Sequence, residues 1–309
     1  MRYRHSFHAG NFADVHKHVA LLALLRAMQR KDKGFLYLDT HAGAGRYDLG
    51  AQESRRSAES RHGIMALMAA TAAPGAPETS AAPGISAQPG MSATPEIDDY
   101  RAAVATLRTE LAEPNAYPGS PWLAAHTLRA QDRGICWEVL PSECRALERA
   151  LGGLRRMRAE CADGYQQLSA VLPSRERRCL LLIDPPYENP AAELDLALQN
   201  IVASLQRLAN IVVLMWYPIK DERTLAPWLA RAQQAVAAAT LSLELWIYPR
   251  DSRVGLNGSG LLVVNPPYQF EARAALWQQQ LHGLLDKSRH GGSKLQWLVP
   301  EADVDHAGA

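Results

Sequence analysis

The chain has 309 residues, of which 47% are hydrophobic, and its formal net charge is +1. This composition suits a folded domain with a large core, and it excludes both a highly charged disordered chain and a protein that is basic throughout. The longest apolar runs, such as IVVLMW from Ile211, fall far short of the ~20 residues that cross a bilayer. The start of the chain lacks the apolar core of a signal peptide. We therefore expect a cytoplasmic protein without membrane contact. Separately, we expect it to be a monomer.

Positive charge is concentrated near the N-terminus. Residues 1–33 contain seven Lys or Arg residues and two acids, an excess of five positive charges, besides four histidines. Phosphate recognition uses local basic patches, so Arg4 and Lys17 are candidate substrate contacts. For residues 26–33 alone, a solvated helix face is the better interpretation.

The cysteines and histidines do not form a metal-ligand pattern. The four cysteines, from Cys136 to Cys179, are separated by 8, 17 and 18 positions, which gives neither a CxxC pair nor a small-domain disulfide framework. His16 and His18 point about 200° apart on a helix, so they do not converge on one ion. We expect ordinary buried thiols and no metal.

Helix-like and strand-like segments alternate along the chain. Residues 12–30 place apolar side chains at helical spacing, and Gly34 is a suitable stop. Strand-like runs follow at residues 35–39, 136–140, 157–161, 180–184, 211–217, 243–248 and 261–265. Helical stretches separate most of them, at residues 122–131, 194–208 and 225–239. The alternation predicts a doubly wound α/β sheet, whose ligands bind at the carboxyl ends of the parallel strands.

One segment interrupts this alternation. Residues 71–95 read TAAPGAPETSAAPGISAQPGMSATP, with five prolines spaced too closely for a helix or a strand. We expect a flexible linker and assign no function to it. It lies between predicted helices at residues 57–70 and 97–111. Residues 50–116 are therefore predicted to form a helical insertion within a single domain, 1–309.

The first chemical motif follows the first strand and reads DTHAGAGRY from Asp39. Its glycines, Gly43 and Gly45, let the backbone turn tightly and approach a ligand, as a nucleotide cofactor requires. The third glycine of the dinucleotide fingerprint is absent, because Asp48 occupies its place. A carboxylate at Asp39 repels phosphate and attracts an ammonium group. S-adenosylmethionine, which is cationic and has no phosphate, therefore fits better than NAD.

Further acids accompany later strands. Glu138, inside the run CWEVL, is able to accept hydrogen bonds from both ribose hydroxyls, and Asp163, at a strand-to-helix turn, from the adenine amino group. A single acid in such a position is more often a helix cap or a solvated residue. The ordered series Asp39, Glu138, Asp163 and Asp184 at four successive strand ends favours a cofactor site.

Asp184 opens the motif DPPY, directly after the apolar run LLLI. An exocyclic adenine amine is a poor nucleophile, because its lone pair is delocalised into the ring. If Asp184 and the Pro185 carbonyl accept its two N–H hydrogens, the lone pair is aimed at the sulfonium methyl group. Tyr187 offers a face to an extruded base, worth ~1–3 kcal/mol. The motif predicts amino-methylation, and the plainer alternative is a proline-rich strand terminator.

A second motif, NPPY from Asn265, competes with the first. In the usual methyltransferase topology the last strand is antiparallel, which places Asn265 at the sheet edge away from the cofactor. Asp184 is therefore the preferred catalytic position. The loop before this last strand follows a parallel strand, so we expect it over the active site, with Arg250 and Arg253 available for phosphate.

Together these motifs resemble one family. The segments YRHSFHAGNFADVHKH (3–18), FLYLDTHAGAGRYDLG (35–50), YPGSP (117–121), ADGYQQL (162–168) and LLIDPPYE (181–188) are similar to the RlmJ family of 23S ribosomal RNA adenine-N6 methyltransferases. The resemblance implies a class I, Rossmann-like methyltransferase fold: a seven-stranded, mostly parallel sheet with an antiparallel last strand, plus a small helical insertion. It implies S-adenosylmethionine as methyl donor and adenine 2030 of 23S ribosomal RNA as the target.

The resemblance also implies residue roles. Asp184 is the implied catalytic acid, and Tyr3 the implied contact to the substrate. The implied cofactor contacts are His18, His41, Ser120, Glu138, Asp163 and Gly164. The sequence departs from the family pattern in its Pro/Gly/Ala tract, which is longer than the family insertion needs. Two alternatives stay open on the residues alone: a DNA adenine-N6 methyltransferase and a nucleic-acid-binding protein without catalysis.

Overall fold

The computed structural model describes residues 8–52, 54, 59–70, 93–220, 222–249, 255–286 and 289–301. The helices are α1 (Phe12–Gln29), a 3₁₀ helix (Glu59–His62), α2 (Ile64–Ala69), α3 (Pro95–Leu111), α4 (Ser120–Thr127), α5 (Pro141–Ala150), α6 (Gly164–Val171), α7 (Pro190–Arg207), α8 (Glu222–Ala235) and α9 (Phe270–Leu285). The strands are β1 (Leu36–Asp39), β2 (Arg46–Asp48), β3 (Ala116–Pro118), β4 (Arg133–Trp137), β5 (Met157–Glu160), β6 (Cys179–Ile183), β7 (Val212–Ile219), β8 (Thr240–Trp246), β9 (Gly258–Val264) and β10 (Gly292–Val299). Four predicted substrate contacts, Tyr3, Arg4, Arg250 and Arg253, and most of the linker, 71–92, lie outside the described residues.

Eight strands form one sheet in the order β10-β8-β9-β7-β6-β1-β4-β5. β5, β4, β1, β6 and β7 run parallel, while β9 is antiparallel to both of its neighbours, β7 and β8. The predicted class, a mostly parallel sheet with a late antiparallel strand, is confirmed. The sheet has eight strands rather than seven, because β10 pairs antiparallel with the outer side of β8.

The sheet separates two hydrophobic cores, and single strands contribute to both. Along β6, Leu180 and Leu182 face the core that contains α1, while Leu181 and Ile183 face the core that contains α7. This alternation follows from the two-residue period of a strand. All five residues of β6 are buried, as expected of a strand covered on both faces.

Helix α1 lies at the centre of the first core. The Asn11 side chain caps it by accepting a hydrogen bond from Asp14 N (2.9 Å), and Gly10 donates to the Asp14 carboxylate (3.0 Å). The 3₁₀ helix, α2 and α3 lie between β2 and β3, which pair with each other as a two-stranded ribbon. Gly10 O accepts a hydrogen bond from Ile64 N (2.9 Å), which docks α2 against the start of α1.

Three details differ from the sequence-based predictions. The predicted linker 71–95 extends too far, because Pro95 begins α3 and Thr94 N donates a hydrogen bond to Gln280 Oε1 (2.6 Å). Glu138 follows β4 directly instead of lying inside it. The prediction of four buried thiols is wrong in part, because Cys144 and Cys161 form a disulfide with their Cα atoms 5.6 Å apart. They meet because α5 packs back against β5, a contact that spacing in the chain does not reveal. Cys136 and Cys179 are buried free thiols.

Candidate active site

The four acids of the predicted series follow neighbouring strands. Asp39 ends β1, Glu138 follows β4, Asp163 follows β5 and Asp184 follows β6. In the sheet these strands are adjacent and parallel, in the order β6-β1-β4-β5. Their carboxyl ends therefore share one edge of the sheet, where a doubly wound fold binds its ligands.

Asp184 is held by a lysine that is almost completely buried. Lys17 Nζ donates to Asp184 Oδ2 (2.5 Å) and to Asp14 Oδ1 (2.9 Å), and its side chain is only 5% exposed. Burial lowers the pKa of Lys17, but the carboxylates of Asp14 and Asp184 outweigh it and hold that pKa well above its ordinary value. The ammonium group is thus charged at neutral pH, and Asp184 faces a fixed positive charge.

This geometry corrects the expectation for Lys17 and reveals a partner that sequence reasoning missed. Lys17 is not exposed to a phosphate group, because two carboxylates enclose its ammonium group. Asp14 was not among the candidate residues. The sequence feature that points to Asp14 is its three-residue spacing from Lys17 on a predicted helix, which brings the two side chains to the same face.

Two cavities open at this edge of the sheet. The larger, of about 450 Å³, has aromatic walls formed by Phe12, Tyr187, Trp216 and Tyr248. The smaller, of about 280 Å³, is lined by His18, His41, Gly43, Ser120 and Glu138. Three residues line both cavities: Lys17, Asp184 and Pro186. Asp184 therefore stands where the two cavities meet.

Glu138 connects two loops at the wall of the smaller cavity. Its carboxylate accepts hydrogen bonds from Gly43 N (2.9 Å) and Leu140 N (2.7 Å). Burial raises the pKa of Glu138, although these two backbone groups oppose the shift. Gly43 has φ of +60°, and a Cβ there would lie 2.2 Å from the Tyr47 hydroxyl, so this turn requires glycine. Each carboxylate oxygen keeps a lone pair for a further donor.

Asp39 does not face either cavity, contrary to the expected contact with an ammonium group. Its side chain is completely buried and accepts hydrogen bonds from Ser120 Oγ (2.7 Å), Tyr37 Oη (2.9 Å) and His41 N (3.2 Å). Burial raises the pKa of Asp39 to about 6, although the hydroxyls of Ser120 and Tyr37 oppose the shift. Asp39 thus positions Ser120 and His41, which do line the smaller cavity.

The two histidines of the smaller cavity are held by hydroxyl groups. His18 Nδ1 bonds to Tyr117 Oη (3.1 Å). Thr40 Oγ1 donates to Leu182 O (3.1 Å), so it accepts from His41 Nδ1 (2.8 Å), which leaves His41 Nε2 as an acceptor. Burial lowers the pKa of His41 to about 4 and keeps it neutral.

Asp163 and Gly164 do not reach the described wall of the smaller cavity. Asp163 is exposed and caps α6, because its side chain accepts hydrogen bonds from Tyr165 N (3.0 Å) and Gln166 N (3.4 Å). Gly164 is buried, and a Cβ there would lie 2.4 Å from Thr40 O, so it permits close contact between α6 and the loop after β1. The structure thus supports the capping interpretation of Asp163.

Tyr187 was predicted to offer a face to an extruded base, but its side chain is largely buried. It is 6% exposed, its hydroxyl donates to Trp216 O (2.5 Å), and its ring contacts the Trp216 ring edge-on with centroids 5.3 Å apart. Trp216 Nε1 in turn donates to Ser259 Oγ (3.0 Å). Trp216 was missed by sequence reasoning, although it ends an apolar run next to the DPPY strand. Pro185, of the same motif, is also buried.

Asn265 lies at the opposite edge of the sheet, as predicted. Its side-chain amide donates to Ala209 O and Ile211 O, both at 2.9 Å, beside the start of β7. The antiparallel direction of β9 places it there.

Among the described residues, no group of three or more His, Cys, Asp or Glu side chains is arranged to hold a metal ion, and no helix is long and apolar enough to cross a membrane.

A Rossmann-like sheet whose two cavities meet at the aspartate of a DPPY motif defines a class I methyltransferase. The family model described as "Ribosomal RNA large subunit methyltransferase D, RlmJ" matches residues 32–80 and 84–299. The chain is 34% identical to ribosomal RNA large subunit methyltransferase J of Escherichia coli and 33% identical to that of Haemophilus influenzae, each over 97% of this chain and all of the relative. A solved structure from Legionella pneumophila matches with a TM-score of 0.78 and 28% identity, over 94% of this chain and 97% of that one. The chain belongs to the RlmJ family.

Proposed function

We propose that this enzyme transfers a methyl group from S-adenosylmethionine to the N6 amine of an adenine in 23S ribosomal RNA, with adenine 2030 as the expected target. The observation that carries the proposal is the meeting of two cavities at Asp184. One cavity is suited to a methyl donor and the other to a planar base. Asp184 is placed where the methyl group would pass between them.

The smaller cavity fits S-adenosylmethionine by charge. Its described lining contains four carboxylates, those of Glu138, Glu143, Asp184 and Glu188, and one ammonium group, that of Lys17. This excess of negative charge favours a cationic cofactor without phosphate over a dinucleotide. Glu138 would accept the ribose hydroxyls, while His18, His41 and Ser120 would hold the methionine end. When bound, the cofactor supplies an electrophilic methyl group on a sulfonium.

The larger cavity fits an extruded purine. Phe12, Tyr187, Trp216 and Tyr248 form part of its wall, and a base stacked on an aromatic ring gains ~1–3 kcal/mol. Trp216 and the edge of Tyr187 are available in this wall. The DPPY turn then presents Asp184 and the Pro185 carbonyl to the exocyclic amine as two hydrogen-bond acceptors.

Asp184 and Lys17 together would direct the amine. With Oδ2 bound to Lys17, Asp184 retains Oδ1 for one N–H hydrogen, and the Pro185 carbonyl accepts the other. The nitrogen lone pair is then aimed out of the ring plane toward the methyl group. Methylation would require N6 to lose one proton, and Asp184, which would hold the amine through Oδ1, would be the nearest group to accept it.

The alternatives left open by the residues differ in their substrate. A DNA adenine methyltransferase would share the DPPY chemistry, and the names of the relatives favour ribosomal RNA. A purely RNA-binding protein would not require two cavities that meet at a carboxylate. We also propose that the enzyme acts as a monomer in the cytoplasm, which sedimentation and cell fractionation would test.

The decisive experiment compares the two proline motifs. Asp184→Ala removes the acceptor at the junction of the cavities, so we expect methylation of an rRNA fragment to be abolished while S-adenosylmethionine still binds. Asn265→Ala removes two hydrogen bonds and places alanine at φ of +50°, so it should lower the melting temperature more than the rate per folded molecule. Single-turnover methylation and cofactor titration measure both. An active Asp184→Ala enzyme would refute the assignment.

A further inference from the structure

The four parallel strands β1, β4, β5 and β6 have loops of opposite charge at their two ends. At the carboxyl ends, the loops 40–45, 138–140, 161–163 and 184–189 contain four acids and no Lys or Arg. At the amino ends, the loops 30–35, 128–132, 151–156 and 172–178 contain nine Lys or Arg residues and three acids. We call these four amino-end loops the basic edge. Its excess of six positive charges contrasts with a net charge of +1 for the whole chain.

Two of the three acids of the basic edge, Asp132 and Glu176, are buried and form structural hydrogen bonds. Asp132 is buried and accepts hydrogen bonds from Arg129 Nε (2.9 Å) and Phe35 N (3.3 Å). Glu176 is buried and accepts from Arg133 Nε (2.7 Å) at the start of β4. These two carboxylates face inward, and they do little to offset the positive charge that the basic edge presents to solvent.

Two arginines fix the framework of this surface. Arg129 donates to Gln29 O (2.9 Å) and Lys31 O (3.1 Å), and Arg178 donates to Met28 O (2.6 Å) and to Lys33 O. The loop after α1 is therefore tied to two neighbouring loops. Burial and the nearby Arg129 cation lower the pKa of Arg178, as expected where cations are crowded.

Four other cations of the basic edge lie on the surface of this framework. The side chains of Lys31, Lys33, Arg155 and Arg177 are exposed, and none forms an ion pair with a residue in the described part of the chain. Exposed cations without ion-pair partners on an ordered framework suit the phosphate backbone of a nucleic acid. The carboxyl-end loops, which carry four acids and no Lys or Arg, offer no such cations.

We propose that the basic edge is a second RNA-binding surface, which holds the sugar-phosphate backbone of a part of the ribosomal RNA away from the target adenine. The proposal rests on the proposed function. The strands between the two edges have four or five residues, or ~15 Å at ~3.3 Å per residue, to which the loops add. A short hairpin seated at the catalytic edge would not reach the basic edge, whereas a long rRNA fragment would.

The test variant is Lys31→Gln/Lys33→Gln/Arg177→Gln, which removes three exposed charges and keeps the backbone carbonyls that Arg129 and Arg178 use. We expect its affinity for a long 23S rRNA fragment to fall about tenfold or more in moderate salt. The slope of log affinity against log salt should decrease by about two to three, because each lost phosphate contact contributes ~0.7–0.9. Binding and single-turnover methylation of a short hairpin with the target adenine should not change.

The matched control, Arg145→Gln/Arg289→Gln/Lys294→Gln, removes three exposed charges elsewhere. If the test variant weakens long-fragment binding no more than this control, or weakens the short hairpin equally, the second surface is refuted. Failure of the native enzyme to methylate either RNA would instead refute the proposed function. Fluorescence anisotropy measures binding and single-turnover assays measure methylation, so the two failures are distinguished.

Discussion

Replacement of Lys17 by methionine would show how far the site depends on one buried charge. The ammonium group lies 2.5 Å from Asp184 Oδ2 and 2.9 Å from Asp14 Oδ1, and all three side chains are at most 15% exposed. Methionine has a similar length and no charge, so Lys17→Met leaves two neighbouring carboxylates without their shared partner. Removal of one member of a buried ion pair costs about 3–5 kcal/mol, because the remaining charge is left unpaired. We expect a loss of that size in the free energy of unfolding near neutral pH.

The pH dependence of the Lys17→Met variant gives a sharper result. In the native protein the pKa of Lys17 is raised, so the ion pair is complete at any pH below the ordinary pKa of a lysine. Its contribution to stability is lost only as pH rises toward and through the raised pKa. In the variant, the destabilisation should shrink as pH falls, because protonation of a carboxylate removes the unpaired charge. Methyl transfer should be slow, because Asp184 loses the cation that holds its carboxylate at the junction of the two cavities.

Chemical denaturation across about pH 3–9, which spans the ordinary carboxyl and histidine range, would measure the effect on stability, and single-turnover methylation near neutral pH would measure the effect on the rate. Lys294→Met is the matched control, because Lys294 is exposed on β10. Native stability and an unchanged rate in Lys17→Met would refute the inference that this lysine holds Asp184 in place.

Two further predictions concern the cofactor and the linker. Glu138→Ala should weaken S-adenosylmethionine binding by roughly 1.5–3 kcal/mol, the range for a hydrogen bond to a charged group, and calorimetry would measure it; unchanged affinity in the folded variant would contradict the ribose contact. Replacement of residues 71–92 by a short Gly/Ser link, which keeps Thr94 and Pro95 at the start of α3, should leave folding and methylation of a minimal RNA nearly intact, because the segment lacks apolar content. A loss of activity by more than an order of magnitude would show that the segment contacts the substrate.

The sequence predicted those features that depend on local pattern. The run LLLI gave strand β6, and the position of Asp184 after it followed from the end of that run. The direction of β9, and with it the location of Asn265, followed from the fold class. The strand β10 was missed because only one of its residues is buried and Ser293 and Lys294, near its start, are exposed and polar, so it shows no buried strand pattern.

The orientation of polar side chains was less predictable. Asp39 and Glu138 both mark strand ends in the sequence, yet Asp39 is enclosed by hydroxyl donors while Glu138 lines a cavity. The alternation of a strand assigns a face to each side chain, but hydrogen-bond partners from distant segments decide whether a ligand reaches it. Ser120 is 81 positions from Asp39. The pairing of Lys17 with Asp184, 167 positions apart, has the same origin.

The position of β9 between β7 and β8 has a consequence for biosynthesis. β7 is a long, largely buried strand, VVLMWYPI, and its second edge is paired by β9, which follows it by almost forty residues. While the chain emerges from the ribosome N-terminus first, β7 can pair with β6, but its other edge stays open until β9 has been made. An open apolar edge is a template for pairing with other chains. During synthesis there is therefore an interval in which α8 and β8 have been made but β7 still lacks its partner β9. Chains arrested at that stage would be prone to aggregate.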